Sequence, residues 1–197
     1  SSAAERCCQR LSDSSNQAID FLIEMVKTTF DVISDVTFSG DRGFDRSTVH
    51  HAIDSYIAEA GRVSLFDILG FPDWIPRPNR LRAGPALKTM KSLADNVINE
   101  RRQQAQKSPP DLLDLLLVGQ DPKTQRKMNT AELRDNLLTF IVAGHETTAL
   151  TLAWALYLIA NDPQRQDQAR TEIQNNVSGK VATGDDVKNL PFLRQIL

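Results

Sequence analysis

The chain has 197 residues, 41% of them hydrophobic and 24% charged, with a formal net charge of −2 at pH 7. That size suits one domain or part of a larger one, and the near-even charge balance argues against a dedicated nucleic-acid surface. No signal peptide, transit peptide or membrane anchor is read in the stretch, so it is expected to be soluble and intracellular, with an anchor in a missing amino terminus left open.

In chain order the pattern is nearly all helical. A first helix is expected over about 3–16, with the two cysteines, Cys7 and Cys8, as structural thiols; adjacent cysteines cannot bridge each other without strain. A second runs from Gln17 to Ser39, with Ile19, Leu22, Ile23, Val26, Phe30, Ile33 and Val36 at three- and four-residue steps, and Gly40-Asp41-Arg42-Gly43 ends it. A third covers about Ser47 to Gly61. The connection over 62–78 is apolar and punctuated by prolines. Asn79 to Lys107 and Asp111 to Val118 follow as a long and a short helix, and Pro163–Asn176 and Asp185–Asn189 close the series. The fold class is therefore all-α, with no internal repeat, glycine-rich phosphate loop or low-complexity tract.

Between these lies the most informative element. Asn129 with Glu132 three residues on forms a capping-box pattern, and nothing stops the helix before Asn161-Asp162-Pro163. At 1.5 Å per residue it is about 50 Å long. Its apolar positions cover all sides, so it is expected to be a central helix wrapped by others. A transmembrane span is the competing reading, but His145 and Glu146 near the middle, without flanking Lys/Arg asymmetry, speak against it. The run from Leu137 to Ala160 is almost entirely apolar except at Ala143-Gly144-His145-Glu146-Thr147-Thr148. Gly in a helix costs roughly 1 kcal/mol relative to Ala, and an unpaired buried carboxylate costs more. Such a cluster points to chemistry. It is not the zinc-protease pattern His-Glu-x-x-His, because position 149 is alanine.

The hexapeptide resembles the signature of the long central helix in the cytochrome P450 monooxygenases, Ala/Gly-Gly-x-Asp/Glu-Thr-Thr/Ser. The flanks agree: Leu133-Arg134-Asp135-Asn136-Leu137-Leu138-Thr139-Phe140 before it, then Ala160-Asn161-Asp162-Pro163-Gln164 and Leu190-Pro191-Phe192-Leu193. The resemblance implies an all-α partial domain over 1–197, with the oxygen-activation helix at 129–161. It also implies a heme cofactor, an apolar small-molecule substrate, dioxygen, and an electron donor that is a reductase or a ferredoxin. Glu146 is then the relay carboxylate, and Thr147 the hydroxyl that stabilises the reacting oxygen and orders water. Ala143 and Gly144 let the backbone lie close to heme, and Thr148 helps satisfy a turn there that is expected to widen or bend. Thr147 is expected to hydrogen-bond back to the Ala143 carbonyl.

The family's later features, a Glu-x-x-Arg helix and the loop whose cysteine ligates heme iron, are not met by Leu197; Glu59-Ala60-Gly61-Arg62 stands in the wrong context. The stretch therefore resembles an internal fragment, with the heme-ligand cysteine beyond it. Alone it is expected to be inactive and to lack the thiolate-heme carbon-monoxide band. Over 62–78 the resemblance implies a channel lid, in which Phe66, Leu69, Phe71, Trp74 and Ile75 line the substrate path, dip into a membrane, or simply pack between helices. Arg77, Arg80 and Arg82 read as a solvated basic patch. Two alternatives stand beside the enzyme reading. One is a kinked structural helix with a buried salt bridge at Glu146, and the other a non-catalytic helical interaction protein. A downstream Glu-x-x-Arg and cysteine loop in the complete reading frame discriminate between enzyme and interaction protein.

Overall fold

The computed structural model describes residues 2–14, 18–38, 48–49, 51–53, 55, 78–104, 109–177, 179 and 182–197. Their helices are α1 (Ser2–Asp13), α2 (Phe21–Phe38), α3 (Pro78–Arg102), α4 (Leu112–Val118), α5 (Thr130–Ala160), α6 (Pro163–Asn176) and α7 (Pro191–Ile196), with a 3-10 turn at Asp186–Asn189. The one β feature among the described residues is an isolated antiparallel bridge, Gln120–Lys127. The chain is all-α. Of the helix expected from Ser47 to Gly61, residues 48, 49, 51–53 and 55 are helical. The Gly40–Gly43 stop, the lid with Phe66, Leu69, Phe71, Trp74 and Ile75, Arg77, and the side chains of Arg80 and Arg82 lie outside the described residues.

Helix ends follow local capping chemistry. Asn129 and Glu132 form the expected box: the Glu132 amide donates to Asn129 Oδ1 at 3.0 Å, and the Asn129 amide donates to Glu132 Oε2 at 2.9 Å. Asp162 caps α6 by accepting from the Arg165 amide at 3.1 Å, with Pro163 in the first turn. The second helix starts later than its apolar periodicity suggests, because Asp20 caps it: the Ile23 amide donates to Asp20 Oδ1 at 3.2 Å.

The chain divides into two compact units, Ser1–Val32 with Ala143–Leu197, and Ile33–Val142. In the first, Cys7, Met25 and Ala149 are buried together, with Leu11, Phe21, Val26, Leu152 and Ala153 packed around them. Ion pairs join α1 to α2: Arg10 Nε to Glu24 Oε2 at 2.7 Å, and Arg6 Nε to Asp31 Oδ2 at 3.3 Å. Glu172 of α6 takes the place of a missing cap on α7, accepting the Phe192 and Leu193 amides at 2.8 and 2.9 Å.

The second unit has Met90, Val97, Ile98, Leu113, Leu133, Leu137 and Ile141 buried to 2% exposure or less. Among them sits a charged knot. Arg101 donates from Nη1 to both carboxylate oxygens of Asp111 at 2.8 Å and to Asp114 Oδ1 at 2.9 Å, and from Nη2 to the Phe38 carbonyl at 3.2 Å. The same two aspartates form the capping box of α4.

Candidate functional site

Every fourth residue of α5 from Leu133 to Ala149 is buried: Leu133, Leu137, Ile141, His145 and Ala149 are all 1% exposed or less. At about 100° per residue, steps of four drift about 40° per step, so these positions form a continuous buried ridge that winds about 160° around the helix. His145 is buried within it. The Thr29 hydroxyl of α2 lies 2.8 Å from the His145 carbonyl and also 2.9 and 3.1 Å from the carbonyls of Met25 and Val26. The Phe30 ring meets the imidazole edge-on, with centroids 5.9 Å apart and planes at 79°.

The motif residues on either side of His145 face elsewhere. Ala143, Glu146, Thr147 and Thr148 are exposed and Gly144 is half-buried. Taking His145 as the inward direction, helical geometry puts Glu146 at about 100°, Ala143 at about 160°, Thr147 at about 200°, Gly144 at about 260° and Thr148 at about 300°. Ala143 and Thr147 are thus stacked opposite His145, with Glu146 on one side of them and Gly144 then Thr148 on the other. Thr147 Oγ1 donates to the Ala143 carbonyl at 2.6 Å, and Thr151 Oγ1 donates to the Thr147 carbonyl at 2.9 Å.

Beyond the motif, Leu150, Trp154, Leu156, Tyr157 and Leu158 are exposed among the described residues. Two expectations need correction. Glu146 is not in a buried salt bridge; it is exposed and has no ion-pair partner among the described residues. The turn has not widened, since α5 is α-helical at every residue from 130 to 160, and the back-bond of Thr147 to Ala143 forms within that regular helix. The buried polar side chain of the motif is His145, which the sequence marks only against a zinc-protease pattern and a transmembrane span. The four-residue stripe was the signal that places it inward.

The exposed strip can accept a flat, largely apolar group. It presents a methyl at Ala143, no side chain at Gly144, and a Thr147 hydroxyl whose proton is turned into the helix. A heme lying against it fits these residues. Cys7, by contrast, is buried in the apolar cluster with Met25 and Ala149 and is not placed to ligate a metal on that strip. Two concavities lie elsewhere in the first unit. One, of about 320 Å³, is lined by Leu22, Leu150, Ala153, Trp154 and Tyr157. The other, of about 490 Å³, includes Leu158, Arg165, Phe192 and Ile196. Neither is lined by residues 143–148. No described helix is long and apolar enough to cross a membrane.

Comparison with known proteins agrees with the motif. The family model described as Cytochrome P450 matches residues 1–197. The bifunctional cytochrome P450/NADPH–P450 reductase 2 of Bacillus subtilis is 28% identical over 184 residues, covering 92% of this chain and 18% of the relative. The cyclooctat-9-en-7-ol 5-monooxygenase of Streptomyces melanosporofaciens is 32% identical over 129 residues, covering 66% of this chain and 28% of the relative. Among solved structures, the cytochrome P450DA heme domain superposes with a TM-score of 0.82 at 26% identity, covering 99% of this chain and 42% of that one. The chain thus spans less than a third of the length of these two curated relatives. A match along the whole sequence, a shared fold and the oxygen-helix motif in its expected place lead to one conclusion: the chain belongs to the cytochrome P450 family.

Proposed function

We propose that this chain supplies the oxygen-activating helix of a heme monooxygenase that inserts one oxygen atom of dioxygen into an apolar organic substrate. The overall balance is a substrate C–H, dioxygen, two electrons and two protons giving an alcohol and water. Electrons come from a reductase or ferredoxin, a reading supported by relatives named as P450/NADPH–P450 reductase fusions. The apolar substrate is supported by the Streptomyces relative, named for oxidation of cyclooctat-9-en-7-ol.

Heme, when bound, supplies the iron at which dioxygen is reduced. The chain's own residues manage approach and protons. Ala143 and Gly144 keep side chains out of the way, so the helix backbone can lie close to the cofactor. Thr147 carries the reading. Its proton is committed to the Ala143 carbonyl at 2.6 Å, so its oxygen is left as an acceptor that orders a water or a protonated oxygen above the strip. Glu146, exposed beside it, exchanges protons with solvent and relays them inward. Thr148, at the far end of the arc from Glu146, completes the polar rim of the turn and takes no part in proton transfer.

The test is Thr147→Val in the complete reading frame. The substitution keeps the shape and removes the oxygen. Heme incorporation and substrate binding are expected to change little. Reduced cofactor continues to be consumed, but product falls and hydrogen peroxide rises, since two electrons and two protons then leave on dioxygen. Unchanged product per electron would make the hydroxyl structural and remove the basis of the proposal.

A further inference from the structure

The α5 helix is apolar on most of its circumference over its second half, with Leu150, Trp154, Tyr157 and Leu158 exposed well away from the His145 direction and Leu156 exposed nearly in line with it. Apolar packing is non-directional, so an apolar surface of this kind discriminates poorly between rotations of the helix about its axis. A directional contact, a hydrogen bond or an edge-on ring pair, discriminates better, because a wrong rotation loses it. Such a contact is made on α5 beside the motif. Thr29, 5% exposed, reaches the carbonyl of His145, 1% exposed, at 2.8 Å.

We propose that Thr29, with Phe30 against the imidazole, is a positioning residue that fixes the rotation of α5 at His145 and so turns Ala143 and Thr147 outward. The inference rests on the role given to Thr147 above. Three observations carry it. His145 and the Ala143–Thr147 pair are about 180° apart on the helix, so anchoring one directs the other. A helical carbonyl already accepts from the amide four residues on, and its second lone pair is free for an external donor. Thr29 is that donor, held in place because its hydroxyl sits over the Met25 and Val26 carbonyls of its own helix. With one proton and three acceptors in range, Thr29 can also release His145 without leaving its own hydroxyl unpaired. Small adjustments of α5 are therefore cheap, while a large rotation also loses the Phe30–imidazole contact.

The experiment uses the full-length protein with Thr29→Val, which keeps volume and removes the hydroxyl, and Thr29→Ser, which restores it. Amide hydrogen exchange over residues 145–151 is expected to rise by up to roughly tenfold in Thr29→Val, the scale of one buried hydrogen bond, and to stay near wild type in Thr29→Ser. Product formed per electron should fall in Thr29→Val in the same sense as in Thr147→Val. The double variant should be no worse than Thr147→Val alone, because both act on one hydroxyl. Unchanged exchange in Thr29→Val overturns the clamp. Faster exchange with full coupling, in an enzyme that Thr147→Val does uncouple, overturns the positioning role. If Thr147→Val itself leaves coupling intact, the role of Thr147 fails, while the exchange data still decide whether Thr29 holds α5.

Discussion

Among the described residues, the α3–α4 corner and the α5 motif both set carboxylates against an apolar background, and they resolve the problem in opposite ways. At the α3–α4 corner, Asp111 and Asp114 are 6% and 3% exposed, and both are bound by the equally buried Arg101. At the motif of α5, Glu146 is exposed and is without an ion-pair partner among the described residues. A buried charge must be paired to survive, and once paired it is fixed in place and withdrawn from proton traffic. An exposed carboxylate beside a strip of small residues is not locked into such a pair. Under the proposed function the motif's polar residues carry chemistry for a different reason: the acid proposed to act is the exposed one, and the buried acids bind the α3–α4 corner together.

The largest expected effect tests the architectural half. Arg101→Met leaves two buried carboxylates facing each other and removes the donor that ties α4 to the Phe38 carbonyl. Unfolding free energy should fall by about 3–5 kcal/mol, measured by denaturant titration of the full-length protein. Arg101→Lys should recover part of this, because an ammonium keeps the charge but not the guanidinium fork. A loss within about 0.5 kcal/mol, the size of an ordinary surface substitution, would erase the contrast.

Glu24 is an intermediate case, 8% exposed but paired with the more accessible Arg10 and Lys27. Its hydrogen bond from Lys27, joined by that from Arg10, holds its carboxyl below the ordinary value of 4.5 against the opposing pull of burial. The folded value is the lower one. The stabilisation is therefore complete above the ordinary carboxylate pKa and is lost as pH falls from there through the folded value. An acid titration followed by thermal unfolding should show wild type losing stability in that window, and Glu24→Gln losing less. The difference should be smaller than the Arg101→Met effect, because both cationic partners are part-exposed.

Helix boundaries were legible where short polar side chains cap them, as at Asn129–Glu132 and at Asp162 before Pro163. The start of α2 was misplaced because Ile19 continues the apolar periodicity, while Asp20 is the residue whose oxygens fit the first turn. The site was legible as a motif and illegible as an environment. Which side of a helix meets solvent depends on what packs there, and the stretch 149–160, apolar at every position but Thr151, looks the same whether covered or exposed. The inward position of His145 was available from the step of four through Leu133, Leu137, Ile141 and Ala149. Its tether was not, because Thr29 lies 116 residues away. The knot at Arg101 was equally hidden: neither aspartate is marked in the sequence as anything but the start of a short helix.

The central claim, that the exposed acid works and the buried acids hold, is tested most directly by Glu146→Gln in the complete enzyme, with turnover and unfolding free energy measured on the same preparation. The account predicts oxygen-dependent turnover lower by on the order of 10²–10⁴-fold, through slower proton supply and without chiefly diverting electrons to peroxide. Stability should stay within about 0.5 kcal/mol of wild type. Unchanged turnover, or a loss of stability approaching that of Arg101→Met, would contradict it.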